Sequence, residues 1–151
     1  MRKYEKILLV DDDMALNETI AQILEEEGYA LDIACSGEDA LNKIRNHVYN
    51  LVILDIQLPD INGIQVLSKI NKLSPMIKKI VLTGFPDLET AINSVNEKAD
   101  AYLVKPFNPE NLVNIISNNL KQQRQEITYS QEKVLEYIRN RVKELDTNID
   151  N

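Results

Sequence analysis

Along this chain, short apolar runs alternate with segments whose apolar residues recur every three or four positions. The runs are Ile7–Val10, Leu31–Ala34, Leu51–Leu54, Ile80–Leu82 and Ala101–Val104. Each has strand length and is rich in Ile, Val and Leu, the near-continuous character expected of strands covered on both faces. Between them, Leu16, Ile20, Ile23 and Leu24 mark the stripe of a first helix, with Gly28 placed to end it in a left-handed conformation. Ser36, followed by Gly37, Glu38 and Asp39, opens a second helix whose stripe is Ala40, Leu41 and Ile44. Ile64, Val66, Leu67 and Ile70 give a third, with Pro75 closing the connection after it. Asp87 and Glu89 start a fourth containing Ala91, Ile92 and Val95. Asn108 caps a fifth, with Pro109 at its first position and Leu112, Ile115, Ile116 and Leu120 inside.

Five strand–helix units in succession predict an α/β fold, a doubly wound parallel sheet with right-handed crossovers. The pattern alone leaves the strand order open. After Gln122 the chain turns polar through QQRQEITYSQEK, and then Leu135, Ile138, Val142, Leu145 and Ile149 recur at steps of three and four. That spacing predicts a C-terminal amphipathic helix of about two heptads, short of the three or four that define a coiled coil. The predicted organisation is therefore a domain over residues 1–122 and a helical extension over 123–151. The extension reads as a helix folded back on the domain, as a dimer or partner helix, or as the start of a linker.

Charge narrows the partners. The net charge of −7 argues against a nucleic-acid backbone or an anionic membrane. Residues 121–151 carry six basic and six acidic side chains, so the whole imbalance belongs to residues 1–120 and the tail has no basic stripe. With a single cysteine, Cys35, an internal disulfide is excluded, which suits a reducing cytoplasm. The opening MRKYEKILLV meets three aspartates too soon for a signal peptide, and no run approaches the ~20 apolar residues of a membrane span. Cys35 reads as packing, and His47, in HVYN, has no second ligand nearby in sequence.

The chemistry gathers where the strand runs end. Val10 gives way to Asp11, Asp12 and Asp13, Leu54 to Asp55, Leu82 to Thr83 and Val104 to Lys105. In an open parallel sheet that rim is where sites form. Two carboxylates about 4 Å apart repel by about 4 kcal/mol at an effective dielectric near 20, so such a cluster takes up protons or a cation. Oxygen ligands without His or Cys select a hard ion, Mg²⁺ before Zn²⁺. A carboxylate can itself accept a phosphoryl group, and Asp55, followed by the turn residues Pro59, Asp60 and Gly63, is the best candidate. Lys105 would pair with phosphoryl oxygens and Thr83 would offer a hydroxyl. A cis bond before Pro106 would aim the ammonium into the rim. Asp13 reads as a helix cap in preference to a metal ligand.

The array ILLVDDD, LVILDIQLPDING, IVLTGF and AYLVKPF resembles the receiver domain of two-component response regulators over roughly residues 4–122. The resemblance extends to stand-alone regulators of the chemotaxis type, some with short helical tails. It implies a flavodoxin-like strand order 2-1-3-4-5, the order of a chemotaxis member of this family. It also implies Asp11 and Asp12 as the acidic pair at Mg²⁺, Asp55 as phosphoacceptor and metal ligand, and the Gln57 carbonyl as a further ligand. Thr83 becomes the switch hydroxyl, Tyr102 the switch aromatic and Lys105 the phosphate partner. The implied partners are a sensor histidine kinase or phosphotransfer protein and a downstream protein, with a homodimer through the fourth helix, fifth strand and fifth helix or through the C-terminal helix. Such a protein is not a turnover enzyme. The rival is a small haloacid-dehalogenase-like phosphatase using Asp11 of the D-x-D pair Asp11/Asp13. Against it, position 15 is Ala where that family needs Thr or Val, and there is neither a cap insertion nor a later acidic pair.

In the receiver family the residues two after the phosphoacceptor and two after the switch Thr influence hydrolysis, here Gln57 and Phe85. An apolar Phe cannot orient a water, so the phosphorylated protein is expected to lose phosphate slowly. A half-life of seconds for the purified protein would contradict this.

Overall fold

The computed structural model describes residues 5–84 and 87–149. Five strands, β1 (Lys6–Val10), β2 (Ala30–Ala34), β3 (Leu51–Asp55), β4 (Lys78–Thr83) and β5 (Ala101–Val104), alternate with five helices. These are α1 (Met14–Glu26), α2 (Gly37–Asn46), α3 (Gly63–Leu73), α4 (Leu88–Asn96) and α5 (Pro109–Ile149). All strand pairings are parallel, and the order is β2-β1-β3-β4-β5, as the resemblance implied.

Successive side chains of a strand point to opposite faces, and the two cores follow that period. Leu8, Val10, Val52, Leu54 and Val81 pack with the stripes of α2 and α3 on one face. Ile7, Leu9, Leu51, Ile53, Ile80 and Leu82 pack with α1 and the first turns of α5 on the other. The central strands β1, β3 and β4 are almost wholly buried, which explains their unbroken apolar runs, whereas the edge strands β2 and β5 are only partly covered.

The helix ends are set by the anticipated side chains. Ser36 and Asp87 accept from the amides of Asp39 and Thr90, and Asn108 accepts from Glu110, each satisfying an amide that the helix leaves open. Asp13 accepts from Leu16 in the same way, so its role in the fold is that of a cap. Gly28 sits at φ +94°, where a side chain would be strained.

Three features depart from the expectation. Strand β4 begins two residues early, at Lys78 and Lys79, which are buried although lysines read as surface. Lys79 Nζ donates to the Ile77 carbonyl at 2.7 Å and its amide donates to Asp100, while Lys78 Nζ lies 3.7 Å from the same carboxylate. Burial pushes the Lys79 ammonium below its ordinary value, with Asp100 opposing. Cys35 is exposed, with its thiol 3.2 Å from Met14 Sδ, and is not a packing residue. Finally, α5 is one helix of 41 residues, with no break where a separate tail helix was expected. The polar stretch after Gln122 holds no Pro or Gly and is rich in Gln, Glu, Arg and Lys, all good helix formers, so nothing ends the helix there. The chain forms two compact units, residues 1–120 and 121–151.

At the amino end of the sheet, the buried Tyr49 donates its hydroxyl to Asp32 at 2.6 Å, and Lys6 lies 3.0 Å from the same carboxylate. The Tyr49 hydrogen bond, aided by Lys6 and opposed by partial burial, holds Asp32 below the ordinary carboxylate range. A depressed folded-state pKa contributes stability above the unfolded value that is lost as pH falls through the folded one. Tyr49→Phe should therefore cost about 1 kcal/mol in urea unfolding at pH 7. The difference from wild type should shrink once the pH drops below 3.8, the ordinary value. A pH-independent difference would overturn this account.

Candidate functional site

Strands β1 and β3 lie side by side, while α1 packs on one face of the sheet and α3 on the other. That divergence opens a crevice beyond their carboxyl ends. Asp11 follows β1, Asp55 ends β3, and both are buried, at 1% and 5% exposure, whereas Asp12 is exposed. One carboxylate oxygen from each of the three lies within 4.8 Å of the others. Lys105, just past β5, enters the same space: its Nζ is 2.8 Å from Asp11 Oδ2 and 3.3 Å from Asp55 Oδ2. The Lys105–Pro106 bond is cis.

The two buried carboxylates are held alike. Asp11 Oδ1 accepts from the Asp13 amide at 2.9 Å, and Asp55 Oδ1 accepts from the Gln57 amide at 3.0 Å. Each therefore has one oxygen fixed by a backbone amide two residues on and the other by the shared lysine. Burial pushes the Asp55 carboxyl above the usual range and the Asp11 charge adds to this, while the Gln57 amide and Lys105 pull it back. For Lys105, burial alone would lower the pKa, but the hydrogen bond and charge of Asp11, with those of Asp55, raise it above the usual lysine value. The ammonium is firmly charged.

Thr83, at the end of β4, is 1% exposed, and its carbonyl accepts from the Lys105 amide at 2.7 Å. Tyr102 on β5 packs its half-buried ring against the α2–α3 core, and its hydroxyl is buried with no hydrogen-bond partner among the described residues. Burial, with the Asp87 charge, raises its phenol pKa. Gln57 is exposed in the loop after β3. Phe85 lies outside the described residues.

Three supporting residues escaped the sequence reading in whole or part. Asn17 is fully buried and donates its side-chain amide to the Asp11 carbonyl at 2.8 Å, pinning the turn that presents Asp11. Its signal was present: it shares the buried stripe of Ile20 and Leu24, an odd place for an amide. Asp60 accepts from the amides of Gly37 and Glu38, at 2.9 and 3.0 Å, which ties the β3–α3 loop to the start of α2. These two amide bonds hold the Asp60 carboxyl below the usual range. Gly63 does more than turn the chain, because a Cβ there would lie 2.6 Å from the Asp55 carbonyl oxygen and 2.5 Å from Ile56 Cα.

Comparison with known proteins agrees with this geometry. The family model for the response regulator receiver domain matches residues 7–117, and the chain belongs to that family. The crystal structure of a CheY-like response regulator receiver domain protein from Methanospirillum hungatei superposes with a TM-score of 0.80 at 45% identity, covering 81% of this chain and 98% of that one. The transcriptional regulatory protein ZraR of Salmonella typhimurium is 34% identical over 119 residues, 79% of this chain and 27% of ZraR. The response regulator ArlR of Staphylococcus saprophyticus is 36% identical over 80% of this chain and 54% of its own length. The chain thus spans about a quarter to a half of these curated relatives. Receiver domains are signalling proteins that work by phosphorylation of an aspartate. No helix among the described residues is long and apolar enough to cross a membrane.

The donor set fits a hard cation. Asp11, Asp12 and Asp55 offer only oxygen, and three carboxylates against one ammonium leave the crevice negative. A cation that binds only the folded chain stabilises it by about 2.7 kcal/mol at a hundred times its Kd. Magnesium chloride should therefore raise the Tm of the wild-type protein. Asp55→Asn, which relieves the carboxylate crowding, should melt higher than wild type without the metal and respond less to it. Equal Mg²⁺ responses in thermal melts of the two proteins would remove Asp55 from the cation site.

Proposed function

We propose that Asp55 is the phosphoacceptor of this receiver domain, with Asp11, Asp12, Asp55 and the Gln57 carbonyl holding Mg²⁺. The observation that carries the reading is Lys105 Nζ set between Asp11 and Asp55, at 2.8 and 3.3 Å, in the crevice between β1 and β3. Bound Mg²⁺ would supply neutralisation of the charge on the transferring group. The chain's own residues do the rest. Gln57's amide fixes one Asp55 oxygen, which orients the other toward the incoming phosphorus. That oxygen forms the new P–O bond as the P–N bond of a phosphohistidine breaks, and the bonding pair leaves with the imidazole. Lys105 then moves its ammonium to the phosphoryl oxygens, and the Thr83 hydroxyl donates to them.

The donor on this reading is a sensor histidine kinase or a phosphotransfer protein, in the cytoplasm. The product is the modified protein itself, so this is not turnover catalysis. Thr83 and Tyr102 carry the change outward, a local charge biasing a two-state element. A surface for the downstream partner, or for a homodimer, lies on α4 and β5, where Leu88, Ile92, Val95 and Val104 are all exposed large apolar residues. The C-terminal helix is the second homodimer surface. The net charge of −7 gives no support to direct nucleic-acid binding.

Acetyl phosphate with Mg²⁺ should label wild-type protein at Asp55. Asp55→Asn should abolish the label and Lys105→Met should slow it. Mapping the phosphate to Asp11 would favour the haloacid-dehalogenase-like alternative and overturn this assignment.

A further inference from the structure

The unit formed by residues 121–151 presents an apolar stripe with no described partner. Leu135, Ile138, Val142 and Leu145 are each between 49 and 54% exposed on the helical part of that unit. With Leu135 at a, the heptad places Ile138 and Leu145 at d and Val142 and Ile149 at a. We propose that this stripe is the seam of a parallel, in-register pairing with a second copy of the same chain, which deepens the self-association reading above.

Charge selects both occupant and direction. In a parallel pair a g residue of one helix faces the e residue five positions on in its partner. Here Arg141 is at g and Asp146 at e, so the pairing makes two opposite-charge contacts, one on each side of the seam. The antiparallel alignment that keeps Leu135, Ile138, Val142 and Leu145 in one seam instead sets Arg141 against Arg141 and Arg139 against Arg139. In the single helix, Arg141 reaches Glu144 at 3.0 Å, an exposed pair of little energetic weight that yields easily to a better partner.

The seam is short. Upstream, its a and d positions are Thr128 and Gln131, so the apolar contact covers about two heptads where an autonomous coiled coil needs three or four. The pairing is therefore weak by itself, and any other contact between the same two copies strengthens it through effective concentration.

Sedimentation equilibrium of the full chain from micromolar to millimolar concentration tests this, with circular dichroism confirming helix content. Wild type should dimerise. Arg141→Asp and Asp146→Arg should each weaken the dimer roughly fivefold, since two attractive contacts become repulsive. The double exchange Arg141→Asp with Asp146→Arg should restore it to within about twofold of wild type. Tighter association of Arg141→Asp would indicate the antiparallel alignment. That result, a double variant no better than the singles, or a wild-type chain monomeric throughout would overturn the proposal. Labelling of Asp55 by acetyl phosphate is read on the same samples. A chain that labels but does not pair overturns only the seam, and one that pairs with the expected pattern but does not label overturns only the phosphoacceptor reading.

Discussion

Two buried carboxylates at the ends of adjacent strands, with one lysine between them, are the constraint around which this domain is arranged. Asp11 and Asp55 come together because β1 and β3 are hydrogen-bonded neighbours, so the residues leaving them have nowhere else to go. Burial makes the arrangement costly for the ionised groups, as the raised Asp55 carboxyl shows. Lys105 offsets part of that cost, and the amides of Asp13 and Gln57 offset more. The remaining negative charge suits the crevice to a hard cation. Asn17 behind Asp11 and Gly63 behind Asp55 secure the backbone, which keeps the crowded groups from relaxing apart.

What the sequence disclosed, and what it withheld, follows from where each signal resides. Strands covered on both faces write themselves as apolar runs, and caps such as Ser36 and Asp87 are local chemistry, so both were legible. The strand order came from the family resemblance, because register and adjacency are non-local and leave no period in a single chain. Lys78 and Lys79 were hidden because only the fold brings Asp100, some twenty residues away, beside the Lys78 ammonium and the Lys79 amide, and turns the Lys79 ammonium back onto the Ile77 carbonyl. The continuity of α5 was missed for a different reason. The polar segment after Gln122 changes the composition without ending the helix, because polarity does not stop a helix whose residues are good helix formers.

The residues meeting in the crevice were legible individually because a parallel sheet sends every strand's carboxyl end to one rim. Their mutual geometry was not. That Lys105 touches both Asp11 and Asp55, with the Asp13 and Gln57 amides taking the opposite oxygens, depends on three strands at once. Asp60 shows the same limit: reading it as a turn residue was correct but incomplete, since its carboxylate also anchors the first amides of α2.

On the phosphoacceptor reading, this architecture also offers a route from Asp55 to β5. Lys105 is shared, so drawing its ammonium to a phosphoryl group would weaken its hold on Asp11, at the loop just past β5. The amide of Lys105 is bonded to the carbonyl of Thr83, so the two loops respond together. Tyr102 lies three residues before Lys105 and holds its hydroxyl buried without a partner among the described residues. An unpaired buried hydroxyl costs about 1–3 kcal/mol, a cost that a ring arrangement with a partner would remove.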